Sequence, residues 1–291
     1  MADPRIFLCI GATKAGTSWL YSALSGHPEV HLRGIKELHY FDTIDAGKTA
    51  RRIDEVTSAR DRLLRKADGA GFFARRRLKA RIADHDAYLA VLSAGGGADA
   101  PYLNYLRGGA GRRAVVGDVT PAYALLSRER LAQMAAMAPD VRFVYLLRDP
   151  VDRLWSHVRM MAVRRAPDRV LTRARADTIF RRTLAGKEDQ IEIRCDYRRA
   201  LDALFAAVAP SRRHLSYHED LFEGPGLSQI CTFLGIAPIP APQEVVHGGQ
   251  TLEMRPEQRA EARVWLDAQY EHVGRVMGQL HPRWQPTLAK V

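Results

Sequence analysis

The chain has 291 residues, 46% hydrophobic and 26% charged, a balance that fits a folded globular protein and excludes a disordered one. Its formal charge of +11 suits a partner with phosphate or sulfate groups, whether nucleotide, nucleic acid, acidic glycan or lipid headgroup. No run of 18 or more apolar residues occurs, so no membrane span is expected, and the N-terminus lacks the marks of a signal peptide, which points to the cytoplasm.

The chain opens on RIFLCIG, residues 5–11, a short buried strand. A glycine-bearing loop follows, and then a helix over 17–25, closed by Gly26 and His27-Pro28. LHYF at 38–41 is a second apolar stretch. Residues 48–92 are rich in Arg and Lys at helical spacing, ARRRLKAR at 74–81 above all, and read as surface helices leaving the core; Gly95-Gly96-Gly97 reads as a loop. Short strands are expected at 114–118 and 141–147, the latter closed by Arg148-Asp149-Pro150 and followed by the helix VDRLWSHVRMM. Helices over 172–185 and 194–208, a strand at 214–217, a helix at 226–234, a PIPAP linker at 238–242 and a long helix over 257–277 complete the chain. Strands alternating with helices indicate an α/β fold, a central parallel sheet flanked by helices in three layers. The expectation is one domain over 1–291 with a basic helical excursion at about 48–113. Cys9 falls in an apolar run, and Cys195 and Cys231 in helical patterns. All three read as free buried thiols, and no pairing of Cys or His suggests a metal.

GATKAGTS at 11–18 departs from the nucleotide triphosphatase loop G-x-x-x-x-G-K-[ST]. Gly11 and Gly16 keep the spacing, but position 17 is threonine and the lysine stands at 14. The N–H groups of Ala15, Gly16, Thr17 and Ser18 still meet a phosphate at the helix start. Lys14, on the arch of the loop, reaches the far side of a single 5′-phosphate, so the loop suits a nucleotide whose leaving bond lies just beyond that phosphate. GATKAGTSWL resembles the 5′-phosphosulfate loop of sulfotransferases that use 3′-phosphoadenosine-5′-phosphosulfate (PAPS). The resemblance implies a P-loop-like fold, PAPS as co-substrate, 3′,5′-ADP as product and no metal.

Such a donor carries a second phosphate, and VYLLRDPVDRLWSHVRM at 144–160 offers its anchor. Arg148 ends a strand, where open α/β sheets place ligands, and Ser156 stands about two turns into the next helix. The stretch resembles the family's 3′-phosphate segment at both positions, with Val158 where a tyrosine is common. In IKELHYFD at 35–42, Glu37 and His39 match the E-x-H-[FY]-F pattern of the carbohydrate (heparan sulfate-type) branch, which implies Glu37 as general base and His39 as second choice. GDVTPAY at 117–123 resembles the turn bordering the acceptor pocket, with Asp118 for glutamate and Val119 for lysine; losing that charge argues against an acidic sugar chain. LSYHEDLFEGP at 215–225 and ICTFLGI are also similar, with Asp220 in a structural role. HGGQTLEM at 247–254 aligns with the loop that closes over the nucleotide, which implies cover from His247, Gly248 and Gly249 through backbone groups. The acceptor is then a small molecule, a glycan or a lipid headgroup. Two other readings are a nucleotide kinase or triphosphatase, which lacks its lysine, and a basic protein binding nucleic acid or membranes, supported by 74–81 and 159–175 but by no nucleic-acid motif.

Overall fold

The computed structural model describes residues 3–95, 99–242 and 250–285. Five strands form one wholly parallel sheet: β1 (Arg5–Gly11), β2 (Val30–Leu32), β3 (Val115–Val119), β4 (Val141–Leu147) and β5 (Arg213–Tyr217), in the order β2-β3-β1-β4-β5. Both faces of a parallel sheet are covered, so its strands read as continuous apolar runs. β1 is buried from Ile6 to Gly11 and β3 along its whole length. Gly117 faces Phe7 so closely that a Cβ would stand 2.3 Å from the Phe7 carbonyl oxygen, so no larger residue fits there. The loop after β1 leads to one side of the sheet and the loop after β4 to the other. The crevice between these two strand ends is therefore the switch point at which such sheets bind ligands.

The helices flank the sheet. α1 (Thr17–Ser25) follows β1 as the sequence predicts. α2 (Tyr40–Asp45) leads into a long antiparallel hairpin of α3 (Thr49–Asp68) and α4 (Phe72–Ser93), the basic excursion, and then α5 (Asp99–Arg107). α6 (Arg128–Ala136) precedes β4 and α7 (Pro150–Arg164) follows it. α8 (Arg173–Leu184), α9 (Asp189–Glu192) and α10 (Tyr197–Ala207) lead to β5. α11 (Asp220–Glu223), α12 (Gly226–Leu234), α13 (Pro256–Trp265) and α14 (Asp267–Met277) close the chain. Three details differ from the sequence reading. The strand predicted at 114–118 lies one residue later. The single terminal helix breaks at Leu266, which caps α13 and starts α14. Cys195 lies in the turn between α9 and α10 rather than in a helix, although all three cysteines are free and buried as expected. Residues 96–98, which include Gly96 and Gly97 of the predicted loop, lie outside the described residues.

Candidate active site

The phosphate-binding loop joins β1 to α1. Gly16 caps α1 at φ 91°, a left-handed conformation that glycine adopts freely. Space demands glycine as well, since a Cβ at Gly16 would lie 2.7 Å from Nδ1 of His218. Ala15 N–H turns inward to donate to Ala12 O at 3.1 Å. The first turn of α1 leaves the N–H groups of Thr17 and Ser18 without intrahelical acceptors, beside the positive end of the helix dipole. Lys14 sits on the arch at φ 70°.

Arg148 leaves the end of β4 and turns back over this loop: its Nη1 donates to Lys14 O at 3.0 Å. The guanidinium predicted for the second phosphate thus stands against the loop predicted for the first. Ser156 is buried on α7. One turn further on, Arg159 closes the same face of the helix. Burial holds the Lys14 ammonium below its ordinary pKa, and the nearby Arg148 and Arg159 add to the effect while Glu37 opposes it. Arg159 is likewise depressed, by burial and then by Arg148, and its buried Nε has no hydrogen-bond partner among the described residues. Lys14 thus feels three further cations, Arg148, Arg159 and Lys36, a concentration of positive charge that favours an anion. In the sequence Arg159 is one of the basic residues at 159–175, and nothing there marks it as buried, because its burial depends on tertiary packing.

Glu37 and His39 meet on the loop before α2. His39 Nδ1 lies 2.8 Å from Asp42 Oδ2, and its Nε2 lies 3.4 Å from Glu37 Oε2. Lys36 Nζ pairs with Glu37 Oε1 at 2.7 Å. Burial disfavours charge on Glu37, but the hydrogen bond to His39 and the Lys36 ammonium outweigh it and hold the carboxyl at about 2. Burial likewise works against a charged His39, and the two carboxylates prevail, raising it to about 9. Both ring nitrogens are thus engaged and the ring is cationic at neutral pH, which leaves Glu37 as the proton acceptor of the pair. Glu37 and His39 have φ 62° and 54°, so Lys14, Glu37 and His39 are three of the four non-glycine residues with positive φ among the described residues. Backbone strain of this kind, on the order of 1–3 kcal/mol each, gathers at functional sites. Arg52 of α3 braces the loop, donating from Nη2 to Glu37 O at 2.6 Å and from Nε to Leu38 O at 3.1 Å.

Asp118 is buried beneath this loop and accepts from Thr120 Oγ1, Tyr123 Oη and Tyr102 Oη at 2.7, 2.8 and 3.0 Å. A shallow crevice of about 10 Å³, the room of a single water, lies between Ala12 and Thr13 of the loop, the turn at Pro121–Leu125, and Ile193 with Arg194. His218 is held neutral, its pKa pushed down to about 4 by burial and then by Arg148, and it wedges against the loop at Gly16. Asp220 Oδ1 lies 3.4 Å from His281 Nε2. His247, Gly248 and Gly249 fall outside the described residues. The described end of that segment rests on α7, where Trp155 Nε1 donates to Leu252 O at 2.6 Å. Among the described residues no group of three or more His, Cys, Asp or Glu side chains could hold a metal ion, and no helix is long and apolar enough to cross a membrane.

A wholly parallel α/β sheet with a cation-lined crevice at its switch point is the arrangement in which open sheets of this kind bind ligands. Residues 4–240 match the Sulfotransferase family, and the chain belongs to it. The structure resembles that of a sulfotransferase from Alicyclobacillus acidocaldarius, with a TM-score of 0.64 and 21% identity over 98% of this chain and 100% of that one. It also resembles the sulfotransferase domain of the Synechococcus PCC 7002 olefin synthase, with a TM-score of 0.55 and 20% identity over 96% of each chain. The sulfotransferase domain from the curacin biosynthetic pathway is a further likeness, with a TM-score of 0.51 and 16% identity over 97% of this chain and 99% of that one. No curated protein matches the chain in sequence.

Proposed function

We propose that this sulfotransferase takes its sulfuryl group from PAPS and delivers it to a hydroxyl or amine of a small-molecule, glycan or lipid-headgroup acceptor. The observation that carries the reading is the contact of Arg148 with Lys14 O, which brings a strand-end guanidinium and the displaced lysine to one crevice. Two anions on one nucleotide would suit that crowd of cations, and an orphaned buried Nε on Arg159 supports the fit. In this reading the N–H groups of Gly16, Thr17 and Ser18 and the two hydroxyls hold the 5′-phosphate, with Ala15 shaping the loop. Arg148, Ser156 and Arg159 hold the 3′-phosphate, and His247, Gly248 and Gly249 cover the nucleotide.

PAPS supplies an electrophilic sulfur when bound. Glu37 orients the acceptor and takes its proton as the new bond to sulfur forms. A carboxylate held near 2 is a weak base, so it receives the proton late, once attack has made the hydroxyl acidic. Lys14 stabilises the electron pair left on the 5′-phosphate oxygen as the bond to sulfur breaks. His39 and Lys36 keep Glu37 ionised and aimed. In this reading the turn at Pro121–Leu125 borders the acceptor's side of the site. Incubation with 35S-labelled PAPS and a panel of hydroxyl and amine acceptors tests the reading. Label transfer that Glu37→Gln abolishes supports it, and transfer at the wild-type rate in Glu37→Gln overturns the base assignment.

A further inference from the structure

The α3–α4 hairpin runs outward from the catalytic loop. Arg52, near the start of α3, touches that loop, and the remainder of the helix carries the hairpin tip some 25 Å away at about 1.5 Å per residue. Burial ends well before the tip. The core-facing residues of α4 are Asp84, His85, Tyr88, Val91 and Leu92, all in its second half, and every residue over 71–77 is exposed. At the tip two phenylalanines, Phe72 and Phe73, stand 77% and 80% exposed, their rings edge to face at 5.5 Å, and Leu64, in the last turns of α3, is 43% exposed. They are the most exposed aromatic side chains among the described residues.

The charge around them is one-sided. Residues 60–81 hold nine basic and two acidic side chains, which is +7 of the chain's +11. Of the nine, only Arg60 makes an ion pair among the described residues. Arg75 caps the end of α3 through Ala67 O and Asp68 O, and Arg62, Arg65, Lys66, Arg76, Arg77, Lys79 and Arg81 have no carboxylate partner there. At about 100° per residue, Arg75, Arg76, Arg77 and Lys79 fan over about 200° of the helix circumference rather than along one narrow stripe. A duplex groove is met by a stripe, whereas a projecting tip with an apolar point and a basic collar meets a plane. We propose that the hairpin tip docks the protein on an anionic lipid bilayer, with Phe72 and Phe73 entering the headgroup–acyl boundary and the collar meeting the phosphates. Each basic residue brought close to such a surface is worth about fivefold in partitioning, so a collar of this size is sufficient without any lipid anchor.

Co-sedimentation of the whole chain with vesicles of phosphatidylcholine, alone or with 30% phosphatidylglycerol, tests this. Partitioning should be at least tenfold stronger on the anionic vesicles and fall steeply between 0.1 and 0.5 M NaCl. Phe72→Ser with Phe73→Ser should weaken it about tenfold, and Arg76→Glu with Arg77→Glu and Lys79→Glu should abolish it. Because every one of these side chains is exposed, the thermal midpoint should not move. Equal binding to neutral vesicles, or wild-type binding by the variants, overturns the proposal. So does absence of vesicle binding combined with retention of a 30-nucleotide DNA strand that the same variants lose.

Discussion

Replacing Gly16 by alanine strikes the loop at its tightest point. Two costs add. Alanine at φ 91° is left-handed, a penalty of about 1–2 kcal/mol. Its Cβ would also lie 2.7 Å from His218 Nδ1 and 3.3 Å from Cε1, and the ring cannot retreat freely because Phe222 stacks edge-on at 4.9 Å. Displacing it costs about 1–2 kcal/mol more. The total of about 2–4 kcal/mol should lower the thermal midpoint by roughly 4–10 °C in a chain of this length. In a His218→Ala background only the conformational part remains, so a double-mutant cycle should give about 1–2 kcal/mol of coupling between the two sites. Calorimetric unfolding of the four proteins measures it. A Gly16→Ala cost that is the same in both backgrounds would refute the wedge, and a cost below about 0.5 kcal/mol would refute the tight loop altogether.

Lys14→Ala should lower kcat by about 10²–10³-fold with little change in PAPS affinity, measured by steady-state transfer of labelled sulfate; normal turnover would remove Lys14 from the chemistry. His39 is held at about 9, above its ordinary 6.5, so the stability of its carboxylate contacts is complete below pH 6.5 and is lost as pH rises through 9. Glu37, held down at about 2, keeps its contribution above pH 4.5 and loses it only as pH falls through 2. The kcat/KM profile should therefore be flat from about pH 5 to 8 and fall near 9, and an acid limb near pH 6 would contradict this assignment. Asp118→Ala strips three buried hydroxyls of their acceptor and should cost about 3–5 kcal/mol in denaturant unfolding, whereas a loss below about 1 kcal/mol would mean that the hydroxyls find other partners.

The strands and helices that the sequence marks most clearly are those with apolar runs between strong stops. β1, β4, α1 and α12 begin and end where the sequence predicts, each closed by glycine or by Arg148-Asp149-Pro150. β2 was illegible because three residues, only Val30 of them buried, carry no periodicity. α6 buries only Leu131 and Met134, and its one signal is Ser127, which accepts from Arg130 N as a helix cap. The break at Leu266 leaves no glycine or proline in its place, so apolar spacing runs through it. For the candidate site, the sequence names Lys14, Glu37, His39, Arg148 and Ser156 because their local patterns are distinctive. Lys36, Asp42, Arg159 and His218 were not, since each matters through a neighbour distant in the sequence or through a backbone turn that spacing does not encode.

Titration calorimetry with 3′,5′-ADP against 5′-AMP tests the central claim most directly. Two charge-assisted contacts to a second phosphate, at about 1.5–3 kcal/mol each, should make 3′,5′-ADP bind at least about 100-fold more tightly, and Arg148→Ala should remove most of that preference. Equal affinity for the two nucleotides, or a preference for magnesium-ATP over both, would contradict the account.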